Sequence, residues 1–98
     1  MNNVSSYPGD GADNRSVTTA GFQPEYALIR ADDNVTARPA VHHPASLAGD
    51  NTLLFSGAAM VTNRIQALQA DGFQVGNSGD VNANGVTYYS VAVRSSAP

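Results

Sequence analysis

Two dipeptides in the last third of the chain, Asp71-Gly72 and Asn84-Gly85, constrain its folding more than any other feature. Each is flanked by segments rich in apolar and β-branched residues, 62–68 and Phe73-Gln74-Val75 around the first, Val81-Asn82 and 86–89 around the second. Asp-Gly and Asn-Gly are favoured where both central residues of a tight turn take positive φ, so each dipeptide marks a hairpin. Two hairpins in succession imply an antiparallel β domain. The same stretch carries almost no reactive side chain, which points to a structural or binding module.

Alternation assigns the other strands. Residues 25–31 place Tyr26 and Leu28 on one face and Ala27 and Ile29 on the other. Apolar residues on both faces predict a central strand covered on two sides. Residues 15–19 can extend, Gly21-Phe22-Gln23-Pro24 reads as a corner, and Pro24 ends any pairing on its nitrogen side. Further strands are expected at 36–43 (broken at Pro39), 52–56 and 62–68, with a short helical turn around 57–60. In the last strand, 86–94, the face carrying Tyr89, Val91 and Val93 is expected in the core. Seven or eight short strands without a crossover helix describe an all-β fold, an antiparallel β-sandwich with a jelly-roll-like arrangement. Residues 1–14 are dominated by Asn, Ser, Gly, Asp and Pro and read as an extended N-terminal arm. The sandwich domain then spans 15–94 and a C-terminal tail 95–98.

At 98 residues the chain is one domain with a thin margin of stability, and it has no cysteine to add a disulfide, a thiolate ligand or a nucleophile. Good β packing or self-assembly must compensate, which predicts a homo-oligomer, a trimer or dimer. Five Lys+Arg stand against eight Asp+Glu, a net charge of -3. All the cations are arginine, scattered at Arg15, Arg30, Arg38, Arg64 and Arg94, which argues against nucleic-acid binding. The polar N-terminus lacks the basic-then-apolar layout of a secretory signal, and the apolar tract near 53–61 is too short to span a bilayer. No membrane role is expected.

Candidate chemistries are weak by their own spacing rules. His42 and His43 are adjacent, so on a strand they point to opposite faces and cannot share a metal. Asp10-Gly11-Ala12-Asp13-Asn14 resembles the start of a calcium loop, yet Gly21 stands where an EF-hand supplies its bidentate Glu. Calcium held by Asp32, Asp33 or Asp50 would need tertiary contacts. Ser46, His42 and Asp50 lack a nucleophile elbow, and Glu25 is the only glutamate, which leaves no glycosidase pair of that type. The sequons at Asn3, Asn14 and Asn34 are incidental in a chain without a secretory signal. No cofactor and no catalytic residue are expected.

The segment Gly21-Phe22-Gln23-Pro24-Glu25-Tyr26-Ala27-Leu28-Ile29-Arg30 resembles the GFQPD strand segment of phage and prophage β-sandwich domains. Those domains occur in tail-fibre and other virion-associated proteins related to concanavalin-like lectin folds. Residues 46–55, 71–76 and 81–89 resemble other turns and strands of the same group, so the similarity covers most of 12–94. Larger members sit inside long modular proteins, whereas this chain begins at Met1 and ends soon after its last strand, which implies a free-standing subunit.

The resemblance implies a non-enzymatic virion protein, assembled in the host cytoplasm and released by lysis. Its expected role is capsid decoration or cementing, binding the major capsid protein or other virion proteins. The alternative is a carbohydrate-binding module of a tail fibre or adhesin, with Tyr88 as the aromatic platform for a glycan. Candidate partner contacts are Val4, Tyr7, Arg38, His42, Arg64 and Tyr88.

Overall fold

A computed structural model describes residues 2–32, 38–56 and 58–95. In chain order the elements are β1 (Asn2–Pro8), β2 (Arg15–Val17), β3 (Tyr26–Asp32), β4 (Val41–Pro44), β5 (Leu53–Leu54), β6 (Ile65–Gln69), β7 (Gly72–Val75), α1 (Gly79–Asn82) and β8 (Thr87–Val93). They form two antiparallel sheets, ordered β1-β8-β3-β4-β5 and β2-β7-β6. The all-β sandwich expected from the alternation is therefore what the chain adopts. Its strands nest as in a jelly roll, the first with the last and the second with the seventh.

The core lies between the sheets. Ala27, Ile29 and Ala31 of β3, Val41 of β4 and Tyr88 of β8 face Ile65, Phe73, Val75 and Val17 of the smaller sheet. Thr52, fully buried, staples the layers together. Its hydroxyl donates to the Ile65 carbonyl at 3.2 Å and accepts from the Ile65 N–H at 3.0 Å, which satisfies a polar group that burial would otherwise penalise. As expected, β3 is the central strand of its sheet, though only one of its faces is covered.

Four expectations are corrected. Residues 2–8 are extended but do not form a separate arm: they are β1, paired with β8 over seven residues. The hairpin at Asp71-Gly72 exists, but its turn is Ala70-Asp71, and neither Asp71 nor Gly72 has positive φ. Asn84-Gly85 joins no hairpin. Val81 and Asn82 belong to α1, and the Val86 N–H bonds the Ala83 carbonyl at 3.2 Å with Gly85 at φ +84°. That is the glycine position of a type II turn, which feeds β8 into strands distant in sequence. Finally, β8 buries Tyr88, Ser90 and Ala92, so the face carrying Tyr89, Val91 and Val93 points outward. Both faces of β8 are apolar, so alternation alone could not choose between them.

Smaller differences follow the same logic. The strand expected over 36–43 begins at Val41, and its 36–37 portion lies outside the described residues, as do Asp33, Asn34 and Gly57. Residues 58–60 take no helical turn.

Gly72 is glycine because of a close approach, since a Cβ there would lie 1.9 Å from the Val17 carbonyl oxygen. Gly85 has open space around its Cα and needs glycine only for its φ of +84°. Gly72→Ala is expected to cost about 3 kcal/mol by forcing β2 and β7 apart. Gly85→Ala should cost about 1 kcal/mol of backbone strain. Urea unfolding of the two variants checks the order, and equal losses would contradict the steric account.

Candidate functional site

Register determines which side chains share the outer face of the five-stranded sheet. Val4 lies opposite Val91, Val91 opposite Leu28, Leu28 opposite His42, and His42 opposite Leu53. The row crosses all five strands, a span of about 19 Å at the usual interstrand spacing. Asn2, Val93, Tyr26 and Pro44 form the row on one side, and Ser6, Tyr89 and Arg30 the row on the other. Antiparallel sheets with one covered face normally turn polar residues outward. Here Val4 is 79%, Phe55 56% and Tyr89 52% exposed.

His42 is the polar centre of this apolar row. Its ring stacks on Phe55 at 4.2 Å between centroids and meets Tyr26 edge-on at 5.6 Å. Its Nδ1 lies 3.1 Å from the Tyr26 hydroxyl. Partial burial disfavours the charged imidazolium and lowers the His42 pKa, and it raises that of Tyr26. The centre of the face therefore stays uncharged around neutrality, and its charges, Arg30 and Asp32, lie toward one end. Tyr89 donates its hydroxyl to Asp32 at 3.2 Å.

The six candidate contacts separate into three groups. Val4 and His42 lie on the outer face. Tyr7 and Tyr88 are core residues, stacked at 5.4 Å, and neither can reach a partner or a sugar. Both are expected from the sequence as contacts, Tyr7 with a partner and Tyr88 with a partner or a glycan, but their hydroxyls find partners inside. Tyr7 donates to the Val81 carbonyl at 2.6 Å and Tyr88 to the Gly79 carbonyl at 2.6 Å, while the Ala83 N–H donates to the Tyr88 oxygen at 2.7 Å. Burial, reinforced by Tyr88 beside it, raises the Tyr7 phenol pKa. The two arginines tie down α1: Arg38 donates to the Gly79 carbonyl, and Arg64 pairs with Asp80 at 3.1 Å.

Asn82 escaped the sequence reading. It is fully buried and uses its whole hydrogen-bonding capacity. Its Oδ1 accepts from the Asp10 N–H and Arg15, and its Nδ2 donates to Asp10 Oδ1 and the Ala12 carbonyl. The signal that would have found it is Ser78, whose hydroxyl caps α1 by accepting from the Asp80 N–H at 3.2 Å.

The remaining constellations do not converge. His42 faces outward and His43 inward, as their adjacency requires. His43 donates from Nδ1 to the Asn51 carbonyl at 2.6 Å and lines an open cleft of ≈ 330 Å³ with Gln23, Pro24, Leu47 and Leu68. Asp50 is engaged by the Asn63 N–H at 3.1 Å, and Ser46 is exposed in the turn after β4. Among the described residues no group of three or more His, Cys, Asp or Glu is placed to hold a metal ion. No helix among them is long and apolar enough to cross a membrane. Compared with family models, with curated proteins and with solved structures, the chain matches none.

Asn82→Ala is expected to cost about 2–3 kcal/mol, because it strips partners from Asp10, Ala12 and Arg15 together. Thermal unfolding measures it. Acid should also destabilise the fold. The Ala12 N–H, with Asn82 and Arg15, lowers the Asp10 pKa, and the Ser95 hydroxyl and N–H lower that of Glu25. Groups depressed in the fold stabilise it above their unfolded pKa and lose that contribution as pH falls through the folded value. The melting temperature should therefore fall below about pH 4, and less steeply in Asp10→Asn.

Proposed function

We propose that this chain is a virion structural protein, a capsid decoration or cement subunit that docks through the outer face of its five-stranded sheet. The observation that carries the reading is the in-register apolar row from the exposed Val4 through the half-buried Val91, Leu28 and His42 to Leu53, on a sheet whose other face is already packed. Such a patch on a small domain marks an interaction surface. A sheet face is broad and nearly flat, which suits the outer wall of an assembled coat lattice better than a peptide or a small ligand. The resemblance of Gly21–Arg30 and its neighbouring segments to virion-associated sandwiches supports that choice of partner. Seating the sheet on the shell would bury Val4, Leu28, Val91 and Phe55, and one such subunit spanning two coat proteins would resist their separation.

A carbohydrate-binding role is the second reading, with the exposed Tyr89 as its platform in place of the buried Tyr88. Tyr89 is exposed on the outer face with Asp32 bonded to its hydroxyl, a pairing of ring and acceptor that can receive a sugar.

Co-sedimentation with undecorated heads of the phage or prophage that encodes the chain tests the first reading. Wild type should pellet with the heads. Leu28→Glu and Val91→Glu should each weaken binding by at least about tenfold, a loss of about 1.4 kcal/mol, with melting temperatures nearly unchanged. Selective glycan binding abolished by Tyr89→Ala, with no affinity for heads, would replace it with the second. Binding should persist as pH falls through the ordinary imidazole range. It should weaken only below the lowered His42 pKa, where a charge enters the face.

A further inference from the structure

We propose that the free edge of β1 is a self-association site, where a second copy of the chain adds its own β1 antiparallel across a two-fold axis. The Gly9 N–H donates to the Val86 carbonyl at 2.7 Å, one step beyond the Pro8↔Thr87 pair. In an antiparallel ladder the backbone groups of alternate residues point to opposite sides. Gly9, Tyr7, Ser5 and Asn3 therefore turn toward β8, and Asn2, Val4, Ser6 and Pro8 turn away from it. The Pro8 carbonyl agrees with this, being taken from outside by Arg15. Among the described residues nothing bonds the outward N–H and C=O of Val4 or Ser6.

This edge is unguarded. Strands exposed at an edge are usually short, charged, bulged or interrupted by proline. The other sheet edges follow that rule: β5 has two residues and β2 three, and β6 carries a bulge between Ile65 and Ala67. β1 runs for seven residues, Asn-Asn-Val-Ser-Ser-Tyr-Pro, with no charge and proline only at its end.

The occupant follows from register. For both copies to keep their apolar faces on the same side, an outward-facing side chain must oppose another, so the two-fold must pass through a residue pair and not between pairs. Centring on Ser5 brings Pro8 opposite Asn2, where Pro8 has no N–H and its carbonyl is occupied. Centring on Val4 pairs Val4 with the partner's Val4 and Asn2 with the partner's Ser6, so that each narrow pair can exchange two hydrogen bonds. The same register sets Asn3 opposite the partner's Ser5.

The pairing goes beyond the docking reading but serves it. The outer face measures about 19 by 24 Å, roughly half of the ~800 Å² each partner contributes to a standard interface. Two copies joined at β1 present one continuous ten-stranded face of about twice that area.

Sedimentation velocity of the isolated protein from about 1 to 100 μM, a range that resolves micromolar dissociation constants, should show a concentration-dependent dimer. Val4→Pro removes an outward N–H and no bond to β8. It should keep the far-UV circular dichroism of wild type and weaken the dimer by at least about tenfold. Val4→Lys sets like charges face to face at the axis and should do the same, which covers a proline variant that fails to fold. In hydrogen exchange the Val4 and Ser6 amides should slow as the dimer fills. A wild type that stays monomeric throughout overturns the proposal, as does a dimer indifferent to both variants. The Leu28 and Val91 variants, which leave the β1 edge intact, judge head binding separately, so failure of the one reading is distinguishable from failure of the other.

Discussion

Two phenol hydroxyls buried in the core organise this fold. Tyr7 and Tyr88 come from opposite ends of the chain, on adjacent strands, and stack with their hydroxyls aimed at one end of the sandwich. A buried hydroxyl without a partner is costly, and a helix of a single turn has carbonyls that its own ladder leaves unpaired. Each need answers the other. α1 gives Gly79 and Val81 carbonyls to the two tyrosines and closes the sandwich with the fully buried Val81. A Cβ at Gly79 would come within 2.2 Å of the Arg38 guanidinium that shares its carbonyl, so a side chain there would have to displace the end of that arginine.

The placement of α1 propagates outward. With the turn held, Asn82 sits under the loop from Asp10 to Ala12 and fixes the path by which β1 hands over to β2. Arg15 closes this end, bonding Asn82 and the Pro8 carbonyl while its guanidinium lies 5.4 Å from the centre of the Tyr7 ring. A polar network buried and satisfied this fully specifies one arrangement, since any slip of β1 against β8 would unpair several groups at once. The register of β1, and with it the outward position of Val4, therefore depends on contacts made at the far end of the strand.

How much of this was legible follows from the range of each signal. Local signals served well: alternation placed β3 at the centre, the apolar run before Asp71 became β6, and the adjacency of His42 and His43 put them on opposite faces. Nonlocal pairing was hidden. Asn-Asn-Val-Ser-Ser-Tyr-Pro has a loop's composition, and it is a strand because β8, at the other end of the chain, offers seven residues of ladder. The choice of face in β8 was hidden for a related reason. Ser90 and Ala92 are poorer core residues than Val91 and Val93, but beside Ile29 and Ala27 only small side chains leave room for the Phe73 and Ile65 side of the core. Volume at a distant position decided what hydrophobicity along the strand could not. Of the site, His42 and Val4 were visible as individual residues. The row they belong to was not, since it exists only in the cross-strand register.

That row and the β1 edge raise a common problem, which is how a protein can expose both without limitless association. A flat apolar face invites stacking, and an uncharged edge invites chains of added strands. Closed symmetry resolves the second hazard. A two-fold operation uses the same edge on both copies, so pairing consumes the long edge and leaves at each end only β5, too short to template another strand. The first hazard is limited by His42, Tyr26 and Tyr89, whose polar atoms keep the face partly wetted until a fitted partner displaces the water. On the proposed pairing and docking, assembly would proceed in order: the edge would close first because its hydrogen bonds have one best register, and the enlarged face would bind next because it offers more area than either half. The features that look like liabilities in a single chain become, in that sequence, the determinants of where assembly starts and where it stops.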